Sequence, residues 1–236
     1  MMENGPIVEI RDYVIASEKA GCGLQGCSLA IEAGQVLALE PVDPADGLLL
    51  LRALATLEIP ERGAYFFMGQ RQKLADYRAL LECKRRIGYI ARDAALISNL
   101  SLRENLLLMR WYFGNSFDLE LEDDELELCR QLDLERKMEL RPSDLDPADV
   151  QFALVVRELS KKPNVILMDR PEDLVADRRF QVLRRELKKY ILKQVPLVFT
   201  ACEHDFFRRL SNRRLILAEG RLREPLHRGQ PLLQGN

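Results

Sequence analysis

Pro41, Asp43, Pro44, Asp46, Gly47 and Leu48 stand between an apolar run, Val36-Leu37-Ala38-Leu39, and a helical pattern carried by Leu50, Leu51 and Leu54. A strand, a loop and a helix in that order can aim backbone N–H groups and a helix N-terminus at a phosphate. The residue types here oppose that use. Pro41 and Pro44 have no N–H to donate. Asp43 and Asp46 put carboxylates where an anion would arrive, and two like charges about 4 Å apart repel by about 4 kcal/mol at an effective dielectric of about 20. The expectation is that residues 41–47 form a loop folded back into its own pocket. A second acid, Asp169, ends the apolar run 165–168 and reads either as a strand-end cap or as a metal ligand. Its neighbour Arg170 is a permanent cation and is no general base. A third place is Asp146-Pro147, a sound helix start in which Asp146 caps, Pro147 suits the first helical position, and Asp146 or Asp149 complements the helix dipole. Cys22, Cys27, Cys83, Cys129 and Cys202, with two histidines, complete no zinc spacing, so buried or half-buried free thiols are expected and no metal.

The elements that must hold these residues follow from the apolar pattern. Short β-type runs at 7–10, 36–39, 87–90, 165–168, 197–200 and 215–217 alternate with helical patterns, and several are continuously apolar, as in strands buried on both faces. Leu50, Leu54 and Leu57 recur at helical spacing, and Phe180, Leu183, Leu187, Tyr190 and Ile191 mark a longer amphipathic helix ending before Pro196. About seventy residues between the runs at 87 and 165 look helical. Their acidic stretch 120–127 is a docking surface or, the preferred reading, a solvated helix face. The fold class is therefore α/β, one unit with a core over about 1–91 and 159–236 and a helical insertion over about 92–158.

The 236 residues, with 35 Lys and Arg against 37 Asp and Glu, carry a net charge of −2. That balance lacks the excess of a phosphate-backbone binder, so nucleic acid is not expected as a partner. No apolar stretch approaches the roughly 18 to 20 residues of a membrane span, and the first residues have neither a basic nor an apolar leader region.

The order of segments is more specific than any one of them. The strand-loop-helix at 34–54, Arg86-Ile87-Gly88-Tyr89-Ile90, Asn99-Leu100-Ser101-Leu102-Arg103-Glu104-Asn105, Val155-Val156-Arg157-Glu158-Leu159, Pro163-Asn164-Val165-Ile166-Leu167-Met168-Asp169-Arg170-Pro171 and Arg214-Leu215-Ile216-Leu217-Ala218-Glu219-Gly220 together resemble the nucleotide-binding subunit of an ATP-binding cassette (ABC) transporter, over nearly the whole chain. The resemblance implies a P-loop NTPase core with an N-terminal antiparallel β part. It also implies a cytoplasmic, dimerising chain on the inner face of the cell membrane, partnered by an integral membrane permease and another ABC ATPase subunit. The wording of residues 97–107 resembles the ATPases of Mla/MCE-type lipid transport.

Laid on that family, the residues that do its chemistry are missing. The G-x-x-x-x-G-K-[ST] loop falls on 41–48, with Pro41 and Asp46 at the glycines, Gly47 at the lysine and Leu48 at the hydroxyl residue. The signature falls on Leu145, Asp146, Pro147, Ala148 and Asp149, keeping only the leucine. Asp169 keeps the Walker B acid, but Arg170 replaces the catalytic glutamate, Arg92 the Q-loop glutamine, Ala176 the D-loop aspartate and Cys202 the switch histidine. Ser17 falls near the adenine-stacking aromatic, for which Tyr13 is a poor replacement. The expectation is a pseudo-ATPase with no catalytic residue and no cofactor. The alternative is an ATPase using ATP and Mg²⁺ through a non-standard pocket with Asp169, His204 and a cation such as Arg52 or Arg92. Arg92, Asp93, Leu96, Ile97 and Leu100 would line the surface that receives the permease, or else belong in part to the core.

Overall fold

A computed structural model describes residues 5–16, 21–114, 116, 119–200 and 204–225. In chain order the elements begin β1 (Val8–Ile15), β2 (Leu24–Ile31), β3 (Val36–Pro41), α1 (Pro44–Leu54), β4 (Arg62–Phe67), β5 (Gln70–Arg71), α2 (Tyr77–Arg85) and β6 (Ile87–Ile90). They continue α3 (Leu102–Gly114), α4 (Asp123–Gln131), two single-turn 3-10 segments, α5 (Pro147–Ser160), β7 (Val165–Met168), α6 (Glu172–Val175), α7 (Phe180–Leu192), β8 (Leu197–Thr200), α8 (Asp205–Leu210), β9 (Arg213–Ala218) and β10 (Arg221–Arg223).

Two sheets form. One is antiparallel, in the order β2-β1-β4-β5; the other runs β10-β9-β3-β8-β7-β6, parallel except for β10. Alternation along the parallel strands divides the interior into two layers. Leu37, Leu39, Val165, Leu167 and Val198 face α1 and the antiparallel sheet, packing with Ile10, Leu50, Leu54 and Tyr65. Val36, Ala38, Ile166, Met168 and Phe199 face the helices, where one continuous cluster takes in Leu102, Cys129, Phe152 and Leu187. The helical insertion thus shares its core with the sheet.

The strands at 87–90, 165–168 and 197–200 have the expected bounds, because buried parallel strands read as unbroken apolar runs. The helix at 180–192 is also as expected. Leu57 is not on α1: the helix stops at Leu54, Thr56 takes φ +58°, and Leu57 is left exposed. Of the described cysteines, Cys27, Cys83 and Cys129 are buried, whereas Cys22 is exposed, which corrects the expectation of buried thiols. Burial pushes Cys83 and Cys129 up to about 12, so neither is a thiolate at neutral pH. Most of the acidic stretch faces solvent on α4, but Glu125 is buried against Arg110 at 2.6 Å.

The free edge of the parallel sheet, β6, is closed by side chains of α5. Glu158, buried, accepts from the Tyr89 backbone N–H at 3.0 Å, Lys161 donates to the Ile87 carbonyl at 3.4 Å, and Arg157 and Lys161 both pair with Glu158. Unpaired strand edges otherwise invite association, and a charged clamp removes the hazard. Replacing Glu158 with Ala leaves two cations and an edge N–H without their acceptor. Glu158→Ala is expected to cost about 3 to 5 kcal/mol in urea unfolding and to raise the tendency to aggregate.

Candidate functional site

The turn between β3 and α1 is shorter than residue types alone suggest. Pro41 ends the strand and Pro44 is already the first residue of the helix, so only Val42 and Asp43 lie between. Asp43 is the N-cap, accepting from Ala45 N at 2.8 Å, while its carbonyl accepts from Asp46 N (3.2 Å) and Gly47 N (3.3 Å). Asp46 and Gly47 are buried in the first turn and Leu48 is half-buried. The expected fold-back of a loop over 41–47 is corrected: what enters the site is the Asp46 side chain. It is 3% exposed and accepts from the Gly23 N–H at 2.9 Å and the Cys22 N–H at 3.2 Å.

Residues 21–23 therefore sit on the helix start. A Cβ on Gly21, at φ +117°, would meet Asp46 Oδ1 at 2.6 Å. A Cβ on Gly47 would lie 2.6 Å from Pro41 Cγ and 2.9 Å from its Cβ, so the ring of Pro41 fills the space a side chain at 47 would use. Arg52, one of the two candidate cations, is held by Glu58 at 2.6 Å.

At the end of β7, Asp169 accepts from the Thr200 hydroxyl at 3.2 Å, and that hydroxyl accepts from Arg170 N at 2.8 Å. Burial raises the Asp169 carboxyl above its ordinary range, with Asp93 and Glu172 adding to the rise and Thr200 and Arg170 opposing it. Arg170 takes φ +48° and points its Nε to Glu172 at 3.3 Å. A cavity of about 20 Å³ lies among Arg92, Gln151, Asp169 and Arg170, room for about one water. His204 caps α8 through Nδ1, which accepts from Phe206 N at 3.3 Å, and its ring meets Phe180 edge-on. Among the described residues no group of three or more His, Cys, Asp or Glu is arranged to hold a metal ion.

The α5 start is closed in the same manner as α1. Asp146 and Asp149 form a reciprocal capping box with Pro147 between them, and Asp149 accepts from Asp146 N at 3.3 Å. Asp149 is also buried and pairs with Lys137 and, at 2.7 Å, with Arg179, which stacks on Phe152 and holds Asp177. Burial opposes ionisation of Asp149, but the Lys137 and Arg179 hydrogen bonds outweigh it and the carboxyl is held below its ordinary range. Leu145 is half-buried and Ala148 follows Pro147 in the first turn.

The segment after β6 is pinned by Asn105. Its side chain accepts from Ile97 N at 2.7 Å and donates to the Ile97, Leu100 and Ser101 carbonyls. Arg92, Asp93 and Ile97 are exposed and Leu100 is half-buried, but Leu96 is a core residue, which corrects its place on the docking surface. Tyr13 is wholly buried and is no base-stacking platform; Ser17 and Cys202 lie outside the described residues. The contacts that sequence reasoning missed, residues 22 and 23 on Asp46 and Lys137 with Arg179 on Asp149, join positions 12 to 30 residues apart without a local pattern.

A sheet of this order with a helix springing from the central strand β3 is the cassette form of the P-loop NTPase fold. A dimeric ATP-binding cassette in a post-hydrolysis state bound to ADP and Pi superposes with a TM-score of 0.76 at 21% identity, covering 94% of this chain and all of that one. An ATP-binding subunit of an ABC transporter matches equally well, at 0.76 and 22% identity, over 92% and 88%. No family model matches the chain. Among curated proteins it is 26% identical over 222 residues to the macrolide export ATP-binding/permease protein MacB of Bordetella avium, covering 92% of this chain and 33% of that protein. It is 27% identical to the molybdenum import ATP-binding protein ModC of Rhizobium etli, over 73% of this chain and 48% of the relative. The lipoprotein-releasing system ATP-binding protein LolD 2 of Chlorobium chlorochromatii is 24% identical, over 83% of each. The chain thus spans a third to a half of the first two relatives and most of the third. It is a relative of ABC transporter ATP-binding subunits.

Two outcomes follow from the closed helix starts. Gly47→Lys is expected to destabilise by about 1 to 3 kcal/mol in urea, by overpacking against Pro41, and to gain no ATP binding. For Asp149, a folded pKa below the unfolded value, near 4, means stability that is full above that value and lost as pH falls through the folded pKa. Asp177, lowered chiefly by its Arg179 hydrogen bond, adds to the same acid limb. Asp149→Asn should cost about 3 kcal/mol at neutral pH and flatten the loss of stability below about pH 4, read from urea midpoints across the acid range.

Proposed function

We propose that the chain is a catalytically silent ABC cassette subunit, a scaffold or regulator that docks on an integral membrane permease at its cytoplasmic face, beside or in place of an active ABC ATPase subunit. The observation that carries this reading is the start of α1. Its first N–H groups are used by Asp43, and Asp46, which the resemblance sets at the second glycine of the family's phosphate loop, turns its carboxylate to the Gly23 N–H. A helix N-terminus attracts anions through its free N–H groups and dipole, and here both are met from within the chain. The relatives named above are ATP-binding proteins, so the proposed loss concerns this chain's residues and not its fold.

Docking is supported by a groove of about 660 Å³ edged by Asp93, Ala94 and Ala95, into which the exposed Leu57, Tyr77 and Tyr112 project. Lipid transport is the cargo that the wording of residues 97–107 favours. The alternative, an ATPase with a non-standard pocket, draws on Asp169 at its strand end. Of its other members, Arg52 is committed to Glu58 and His204 to the α8 cap, while Arg92 lines the small cavity beside Asp169.

The test is a titration of the purified chain with ATP and Mg²⁺ into the millimolar range, followed by thermal unfolding. A ligand at a hundredfold excess over its Kd adds about 2.7 kcal/mol to stability, so a true site registers as a shift in Tm. No shift is expected; a saturable shift would put the ATPase reading first. Co-purification with a membrane subunit is expected as well, and wholly cytosolic fractionation would replace the docking role by that of a soluble regulator.

A further inference from the structure

Adjoining the docking groove, and sharing Met109, Arg157 and Lys161 with it, lies a second cavity, of about 420 Å³, between the C-terminal halves of α3 and α5 and the end of α2. Leu106, Met109, Phe113 and Leu119 make one side of it apolar. The lining is also cationic: Arg85, Arg110, Arg157, Lys161 and Lys162 all contribute to it, and among the described residues Glu122 is its only carboxylate. The chain as a whole is slightly acidic, at −2, so this is a local concentration of positive charge.

Internal pairing does not use it up. Arg110 pairs with Glu122 and Glu125, Lys162 with Glu122, and Arg157 and Lys161 share Glu158. Four cations are thereby spread over three carboxylates. Arg85 has Glu82 only at 3.9 Å and lies over the Phe113 ring at 5.2 Å, which places a weakly paired guanidinium against the apolar wall. Ser160 also belongs to the lining, but its hydroxyl oxygen is buried beneath that surface and is out of reach of the open cavity.

We propose that this cavity binds an anionic single-chain amphiphile, its carboxylate or phosphate head among Arg85, Lys161 and Lys162, and its acyl chain along Leu106, Met109 and Phe113. Neither part alone accounts for the lining. A free phosphate would leave the apolar wall wet, and an uncharged chain would leave the surplus cations unanswered. The volume lies within the range of small-molecule pockets, and a few polar groups converging on an apolar wall is their usual construction. This site needs neither nucleotide nor permease, so it stands apart from the reading of α1.

The single tryptophan reports on it, because Trp111 Nε1 donates to the carbonyl of Leu119, which lines the cavity. The full chain is titrated below micelle concentrations with oleate, lysophosphatidate, lysophosphatidylcholine and inorganic phosphate, following Trp111 emission and, by calorimetry, stoichiometry. Oleate or lysophosphatidate is expected to give a saturable change at one ligand per chain; which of the two binds more tightly identifies the head as carboxylate or phosphate. The zwitterionic lipid and free phosphate are expected to bind at least tenfold more weakly. Arg85→Glu, at a half-exposed position whose charge reversal leaves the core intact, should weaken the anionic lipid at least tenfold. Equal binding of the zwitterionic lipid, an unsaturable response, or unchanged affinity in a folded Arg85→Glu variant would overturn the proposal.

Discussion

The buried carboxylate of Asp46, bonded to the backbone N–H groups of Cys22 and Gly23, fixes the geometry of everything around the β3–α1 turn. A carboxylate taken out of water must be met by donors, and here they are main-chain groups that the antiparallel part of the fold brings to the first turn of α1. The contact ties the β1–β2 connection to the helix that springs from the central strand. It also explains why Gly21 and Gly47 carry no side chain: one faces Asp46, the other the ring of Pro41. Those positions form one packed unit.

The same arrangement recurs at α5. Asp149 sits in the first turn, caps its own helix with Asp146, and is neutralised by Lys137 and Arg179 from other elements. Helix starts of this kind need negative charge to meet their N–H groups and dipole, and the charge can be external or built in. In this chain it is built in at both places. Both helix starts are consequently met from within the chain, and at α5 the lowered carboxyl of Asp149 makes stability fall as the medium turns acid.

Much of this was legible in residue types. The buried parallel strands read directly, since both of their faces are covered, and Asp146-Pro147 read as a helix start for local reasons. The strands β2, β4, β5 and β10 did not, because they mix exposed polar positions with buried ones and two of them are only two or three residues long. The opposition of Asp43 and Asp46 to an anion was visible as charge. That Asp46 would be satisfied by residues 22 and 23 was not, because the partner is a bare N–H whose placement depends on how two sheets meet. Leu96 was ambiguous for a similar reason: an apolar residue in a polar loop is core or contact according to where Asn105 holds the loop, and Asn105 turns Ile97 outward instead.

The closed helix starts and the open helix α3 divide the molecule into a face that has spent its polar groups and a face that has not. Around α1 and α5 the described donors and acids are matched at short range within the chain, so an incoming ligand would have to break an existing bond for each one it makes. Along α3 the situation is the reverse. Tyr77 and Tyr112 are exposed beside the groove, while Arg85 is weakly paired in the cavity that adjoins it. New contacts there replace water rather than protein partners, which is the condition under which buried area and charge pairing appear as net affinity. Under the proposed function, recognition by this chain is concentrated on α3, and the positions where the resemblance would put a nucleotide serve to hold the scaffold that presents it.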